Sequence, residues 1–285
     1  MKICRYNDNR LGLLDGERIL DVTAALDALP AYKYPFPRTD QLISNLEMLK
    51  GRIAEVAKGA SSIAVADAHL LPPVANPGKV VAAPVNYKAH LEESRNDVEI
   101  NYNRKVIEIQ TIGLFLKSTS SIVGATEGVR ITFPERRNDH EIELVAVIGR
   151  TAKNVSVESA LDYVAGYCIG LDMTIRGPEE RSLRKSLDTF TVLGPWLVTA
   201  DEIGDPAGLQ MVLTVNGEPR QNANTRDLII NVPNLISWAS SFYTLNPGDI
   251  LMTGTPEGVE RVVAGDTIDA RIDKIGSMQV KVRAA

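Results

Sequence analysis

The run Asp139-His-Glu-Ile-Glu-Leu-Val-Ala-Val-Ile-Gly149 constrains the fold of this chain more than any other stretch. In an extended strand, residues two apart point to the same side. Glu141 and Glu143 then share one face, while Ile142, Leu144, Ala146 and Ile148 share the other. Two neighbouring carboxylates among apolar residues lose hydration and repel each other unless a cation sits between them. A third acid, Asp172, is the only one in a second apolar run, Val164-Ala-Gly-Tyr-Cys-Ile-Gly-Leu-Asp-Met-Thr174. A lone E-x-E is most simply a solvated strand edge. The apolar flanks and Asp172 argue instead for a hard divalent cation held by Glu141, Glu143 and Asp172: Mg2+ first, with Mn2+ or Ca2+ as alternatives.

The bulk properties suit a globular enzyme and exclude other classes. A chain of 285 residues can bury a large core, and its 44% hydrophobic and 24% charged content is ordinary. The net charge of -5, without any Lys/Arg run, argues against a nucleic-acid surface. No apolar run approaches the roughly 20 residues that span a membrane, and Met1-Lys-Ile-Cys-Arg-Tyr-Asn7 lacks a signal-peptide hydrophobic region. Cys4 and Cys168 form neither a metal-ligand pair nor a disulfide framework, so a reducing cytoplasm is expected.

The pattern predicts a mostly β chain with a few helices, of the α+β class. Residues 1–75 read as a small N-terminal α+β domain: short strands over 2–6, 10–14 and 18–21, a hairpin turn at Leu14-Asp15-Gly16-Glu17, and helices over 22–28 and 39–58. Leu71-Pro-Pro-Val-Ala-Asn-Pro-Gly78 is a linker. Residues 76–285 read as the catalytic domain, with strands at 79–83, 113–117, 129–133, 141–148, 164–173, 196–199, 210–215, 250–253, 267–272 and 278–283. Asn216-Gly217 marks a hairpin, and a helix is predicted over 233–243 with Asn231 as its cap. A shorter helix is expected at 157–162. Strands and helices do not alternate regularly, which disfavours a doubly wound parallel sheet.

From about residue 79 to the C-terminus the chain resembles the fumarylacetoacetate hydrolase superfamily, in the branch with acylpyruvate hydrolases and oxaloacetate decarboxylases. The resemblance rests on an ordered set of segments: Asn86-Tyr-x-x-His90, Phe115-Leu-Lys117, Glu141-x-Glu143, Gly166-Tyr-x-x-x-x-Asp172, Lys185-Ser-x-Asp-Thr-Phe190, Gly194-Pro195, Val215-Asn-Gly-Glu218, Asn224-Thr225, Pro247-Gly-Asp249 and Thr253-Gly-Thr-Pro256. It implies a mixed β core with a smaller N-terminal domain, a homodimer, and the same three metal ligands that the strand argument selects.

Other residues carry two readings each. His90 and Glu93 share a helix face, either as a routine polar pair or as an oriented general base for water. The resemblance places them on a lid over the substrate. It also singles out Lys185 as an active-site cation and Arg176 as a substrate contact, whereas Arg181 and Arg184 read as surface charge. Thr253-Gly-Thr-Pro256 is either a mere turn or a loop whose amides and Thr255 hydroxyl bind a carboxylate. Lys117 and Tyr167 either contact substrate or pack. Strand alternation points His140 away from the metal face, in a structural or supporting place.

The chain also departs from the family pattern. Where many relatives continue Asp-x-Gln after the arginine, it reads Gly177-Pro-Glu179-Glu180, which changes the charge near the site. Glu260 replaces a usual glycine, and the polar segment Ser94 to Thr111 reads as an insertion beside the lid.

The resemblance implies metal-dependent hydrolysis of a C–C bond in an acylpyruvate-like 2,4-dioxo acid, releasing pyruvate and a carboxylic acid. The partner expected is thus a small carboxylic acid. The same electron sink serves a lyase, either an oxaloacetate-type decarboxylase or a 2-oxo-enoate hydratase or isomerase, in catabolism of aromatic compounds. A metal-dependent small-acid binder without turnover is the alternative from another class.

Overall fold

The strand Ile142–Ile148 is buried along its whole length and sits inside a twelve-stranded mixed sheet. The computed structural model describes all 285 residues. From edge to edge the sheet runs Ser62–Ala64, Arg18–Asp21, Arg10–Asp15, Lys2–Tyr6, Thr191–Thr199, Val164–Asp172, Ile142–Ile148, Ile250–Met252, Val80–Ala82 and Phe115–Lys117. Leu70–Leu71 and Ile122–Gly124 pair with it at the side. Most neighbours are antiparallel, but Ile250–Met252 runs parallel to Val80–Ala82. The chain is therefore α+β with strands dominant, as its irregular alternation of elements predicts.

Alternation along the central strand feeds two apolar layers. Ile142, Leu144, Ala146 and Ile148 pack into one layer with Leu235, Ile236 and Ala239 of the helix Val232–Phe242. Val145 and Val147 pack into the other with Cys168, Met252 and the helix Leu46–Ala57. Glu141 and Glu143 fall in step with Val145 and Val147, at the end of the strand where that second layer stops. A five-stranded sheet lies beyond, in the order Glu218–Asn224, Gln210–Val215, Thr267–Ile272, Gly276–Ala284 and Val129–Ile131.

Local chemistry sets the connections. Asn216 and Gly217 both take positive φ, 52° and 84°, and join two strands of the second sheet as the predicted hairpin. Asn231 caps the helix Val232–Phe242 by accepting from the Asn234 amide at 3.1 Å, with Pro233 in the first turn.

Two expectations shift. The helix expected over 39–58 is two, Gln41–Ser44 and Leu46–Ala57. Between them the Asn45 side chain donates to the Gln41 carbonyl at 2.8 Å, competing with the helical backbone. Around 157–162 only a 3-10 turn forms, Ala160–Tyr163. In the polar segment after Ser94, short helices Val98–Asn101 and Ile109–Ile112 follow the helix Lys88–Asn96.

The N-terminal strands extend the sheet that carries the acids, because Lys2 and Ile3 pair with Val198 and Leu197. No helix is long and apolar enough to cross a membrane.

Candidate active site

The sheet brings the three acids together. One oxygen from each of Glu141, Glu143 and Asp172 lies within 4.8 Å of the others, and all three residues are at most 4% exposed. Glu141 leads into the central strand and Asp172 ends its antiparallel neighbour, where the Asp172 amide donates to the Glu141 carbonyl at 2.9 Å. Asn138–Asp139 pairs with Thr174–Ile175 just beyond, fixing both ends of the site.

Cations from three other segments surround these acids unevenly. Lys185 Nζ donates to Glu141 Oε2 at 2.6 Å, Asp172 Oδ2 at 2.7 Å and Thr174 Oγ1 at 2.7 Å. Lys117 Nζ donates to Asp172 Oδ1 and to the Phe190 carbonyl. Arg176 bridges Asp139 Oδ2 at 2.8 Å and Glu141 Oε1 at 3.0 Å. Glu143 receives only the Gly254 amide, at 2.7 Å.

Protonation follows from this arrangement. Burial alone raises the Glu141 carboxyl, but the charges of Lys185 and Arg176 hold it well below the usual range. Burial and the adjacent Asp172 charge push Glu143 well above it. A buried carboxylate with a single amide donor, repelled by two acids, lacks a positive partner. That deficit fits a divalent cation, and an all-oxygen donor set fits a hard one.

A cavity of about 300 Å³ opens over the trio and is lined by His90, Glu141, Glu143, Asp172, Arg176, Lys185 and Thr255. In its wall, His90 Nδ1 lies 2.7 Å from Glu93 Oε2, and the Gly258 amide holds Glu93 Oε1 at 2.8 Å. A carboxylate accepting from Nδ1–H leaves Nε2 as the basic nitrogen. Thr255 Oγ1 accepts from Gln221 Nε2 at 2.8 Å, so its own proton is free to donate.

Gly254 makes this wall possible. Its φ is +101°, and a Cβ there would lie 2.6 Å from the Asn86 Cβ, so only glycine brings the amide to Glu143.

Some expected residues lie elsewhere. Tyr167 is 1% exposed in the apolar layer with Ile169 and Leu171, and it does not line the cavity. Lys117 reaches the site through Asp172 and not through the cavity wall. His140 is fully buried and faces Gln221 at 3.1 Å, and burial lowers its affinity for a proton.

Two of the acids that these departures bring are paired with arginines. Both Glu179 oxygens accept from Arg136, at 3.0 and 2.7 Å, and Glu260 pairs with Arg220. Arg181 and Arg184, read as surface charge, line the cavity instead. Gln221 was not singled out by the sequence, yet its buried amide ties the amide of Ile142 to the Thr255 loop. It lies in a polar edge-like strand, Glu218–Asn224, that gives no local signal.

Comparison with known proteins gives a consistent result. Residues 79–283 match the family model for the C-terminal part of fumarylacetoacetate (FAA) hydrolase. The chain is 57% identical to maleylpyruvate hydrolase of Aquipseudomonas alcaligenes, over the full length of both. It is 35% identical to the mitochondrial oxaloacetate tautomerase of Xenopus laevis, over 94% of this chain and 83% of that one. The crystal structure of maleylpyruvate hydrolase from Sphingobium sp. SYK-6, in complex with manganese(II) and pyruvate, is 42% identical over the whole of both chains, with a TM-score of 0.85. The chain belongs to the fumarylacetoacetate hydrolase family.

Proposed function

We infer that this protein is a divalent-metal-dependent hydrolase that cleaves the C3–C4 bond of maleylpyruvate, giving pyruvate and maleate. The observation that carries the reading is the His90–Glu93 pair, 2.7 Å apart, whose histidine lines one cavity with the carboxylate trio. The full-length similarity to maleylpyruvate hydrolases supports the substrate.

Glu141, Glu143 and Asp172 would hold the cation, with Mg2+ or Mn2+ suited to carboxylate oxygens. When bound, it supplies Lewis-acid polarisation of the substrate's 2-oxo group. His90, kept in its tautomer by Glu93, takes a proton from water through Nε2. The hydroxide oxygen forms a bond to C4, and the C3–C4 bond breaks with its electron pair moving into a pyruvate enolate. His90 then returns the proton to C3. Lys185 keeps Glu141 ionised and holds Asp172 in place, while the Thr255 hydroxyl and the loop amides orient the substrate's 1-carboxylate.

Decarboxylation or hydration would use the same polarisation, but decarboxylation has no need of a water-activating pair. We take the homodimer implied by the family as part of this reading, and sedimentation of the purified chain checks it.

The test is incubation of the Mn2+- or Mg2+-loaded protein with maleylpyruvate, acetylpyruvate and oxaloacetate, followed by proton NMR. Pyruvate and maleate in equal amounts are expected. Pyruvate from oxaloacetate alone, above a metal-only control, overturns the reading in favour of a decarboxylase.

A further inference from the structure

Not every cation in the cavity wall is used by the acids. Lys185 and Arg176 are bound to the carboxylate trio, and Arg184 donates to the carbonyls of Glu179 and Ile175. Arg181 is different. Its guanidinium makes no hydrogen bond and no ion pair within the chain, although it is only partly exposed and lines the cavity. The acid beside it, Glu180, is occupied as the cap of the short helix Arg181–Arg184, accepting from the Ser182 amide at 2.7 Å. Five N–H donors in a planar fork, left unpaired beside a cavity, are suited to receiving a carboxylate in bidentate fashion.

The position fits the far end of a substrate. Arg181 Cζ lies 5.5 Å from the centre of the Phe115 ring, and Lys185 Nζ lies 5.7 Å from the same ring. Arg181 and the lysine bound to the acids therefore share one aromatic ring, within the reach of a short carbon chain. A second observation comes from the helix Lys88–Asn96. Ser94 is 2% exposed, lines the same cavity, and its hydroxyl has no partner. It follows His90 by four residues, so it lies on the same helix face as the base. Arg104 and Lys105, from the segment beyond Ser94, also line the cavity and have no side-chain partners.

Resting on the hydrolase reading above, we propose that Arg181 binds the carboxylate at the end of the substrate remote from the metal, with Ser94 donating from the lid. This subsite selects 2-oxo diacids over 2-oxo monoacids of the same length, which makes dicarboxylic acylpyruvates the substrate class of the enzyme.

The test separates binding from turnover. 2-Oxoheptanedioate and 2-oxoheptanoate share the 2-oxo acid head but carry no diketone to cleave. Their affinities for the Mn2+-loaded full-length protein are measured by calorimetry, alongside hydrolysis of maleylpyruvate and acetylpyruvate. The diacid is expected to bind about ten- to a hundredfold tighter than the monoacid in the unmodified protein. In Arg181→Leu that ratio should collapse to near one, and Arg181→Lys should restore part of it, because a point charge keeps attraction but loses the fork. Ser94→Ala should lower the ratio by a smaller factor. Equal affinities in the unmodified protein, or an unchanged ratio in Arg181→Leu, overturn the proposal even if maleylpyruvate is hydrolysed. A strong ratio that collapses in Arg181→Leu, in a protein that hydrolyses neither diketone, would uphold the diacid subsite and sink the hydrolase reading alone.

Discussion

Glu141 and Glu143 stand two residues apart at the same buried edge, yet their carboxyls are driven in opposite directions. Glu141 accepts from Lys185, Arg176 and Thr174, and those charges hold it ionised. Glu143 has one backbone amide and the repulsion of Asp172. The protein has thus neutralised one half of the pair with its own side chains and left the other half for a cation.

This asymmetry predicts a reversal of stability with metal. Glu143→Gln removes a buried, under-paired acid while keeping an acceptor for the Gly254 amide. The metal-free variant should melt at the same temperature as the unmodified metal-free protein, or above it. With Mn2+ the order should invert, because the unmodified protein gains binding energy that the variant lacks. Thermal melts with EDTA and with Mn2+ check both halves. A metal-free variant that melts well below the unmodified protein would show that Glu143 is held by something other than a missing cation.

His90 and Glu93 should separate chemistry from metal binding. His90→Ala is expected to lower kcat about 10²–10⁴-fold, the usual range for a lost general base. Glu93→Gln should cost less, since it leaves the imidazole present but weakly oriented. Mn2+ affinity should hold in both variants, as neither residue touches the trio. Titration calorimetry beside steady-state kinetics decides this, and retained turnover in His90→Ala would remove the residue from the mechanism.

Much of the site follows from short-range pattern. The trio is legible because period-two alternation puts Glu141 and Glu143 on one face, and because Asp172 is alone in an apolar run. His90 and Glu93 are legible because three residues make one helical face. The same alternation argues against Tyr167 at the substrate. Five positions separate it from Asp172 along one strand, an odd number, and it packs into the opposite layer. What the pattern does not contain is how distant segments meet. Lys117 finds Asp172 across 55 residues, and Gln221 finds Ile142 across 79. Arg181 reads as surface charge for the same reason. The ring it shares with Lys185 comes from Phe115, on the far edge strand of the sheet.

Lys185 should be costly to truncate. It is 7% exposed at its side chain and bridges two buried carboxylates, so Lys185→Met leaves both acids with fewer positive partners. Breaking a buried ion pair from one side costs about 3–5 kcal/mol. Urea unfolding of the metal-free variant should show a loss of this order. A change below about 1 kcal/mol, at the level of an exposed pair, would mean that the bridge is open to water.

Asp97 should give the segment after His90 a pH signature. It caps the helix Val98–Asn101 by accepting from the Glu99 and Ile100 amides at 2.8 and 3.3 Å, and it pairs with Arg137 at 3.0 Å. Arg137 in turn holds Asp139, which Arg176 joins to Glu141, so one chain of contacts runs from the helix Val98–Asn101 to the acid trio. Burial pulls the Asp97 carboxyl upward, but Arg137 and the two amides outweigh it and lower it below the ordinary aspartate value. A depressed folded-state value means that the stabilisation is present above the unfolded-state pKa, about 3.9, and is lost as pH falls through the lower folded-state one. Asp97→Asn should therefore destabilise the protein near pH 6, and the difference should shrink as the pH drops below 4. Amide shifts of Glu99 and Ile100, followed by NMR across this range, should titrate with a midpoint under the ordinary aspartate value. A midpoint at or above it would show that this helix is not latched through Asp97.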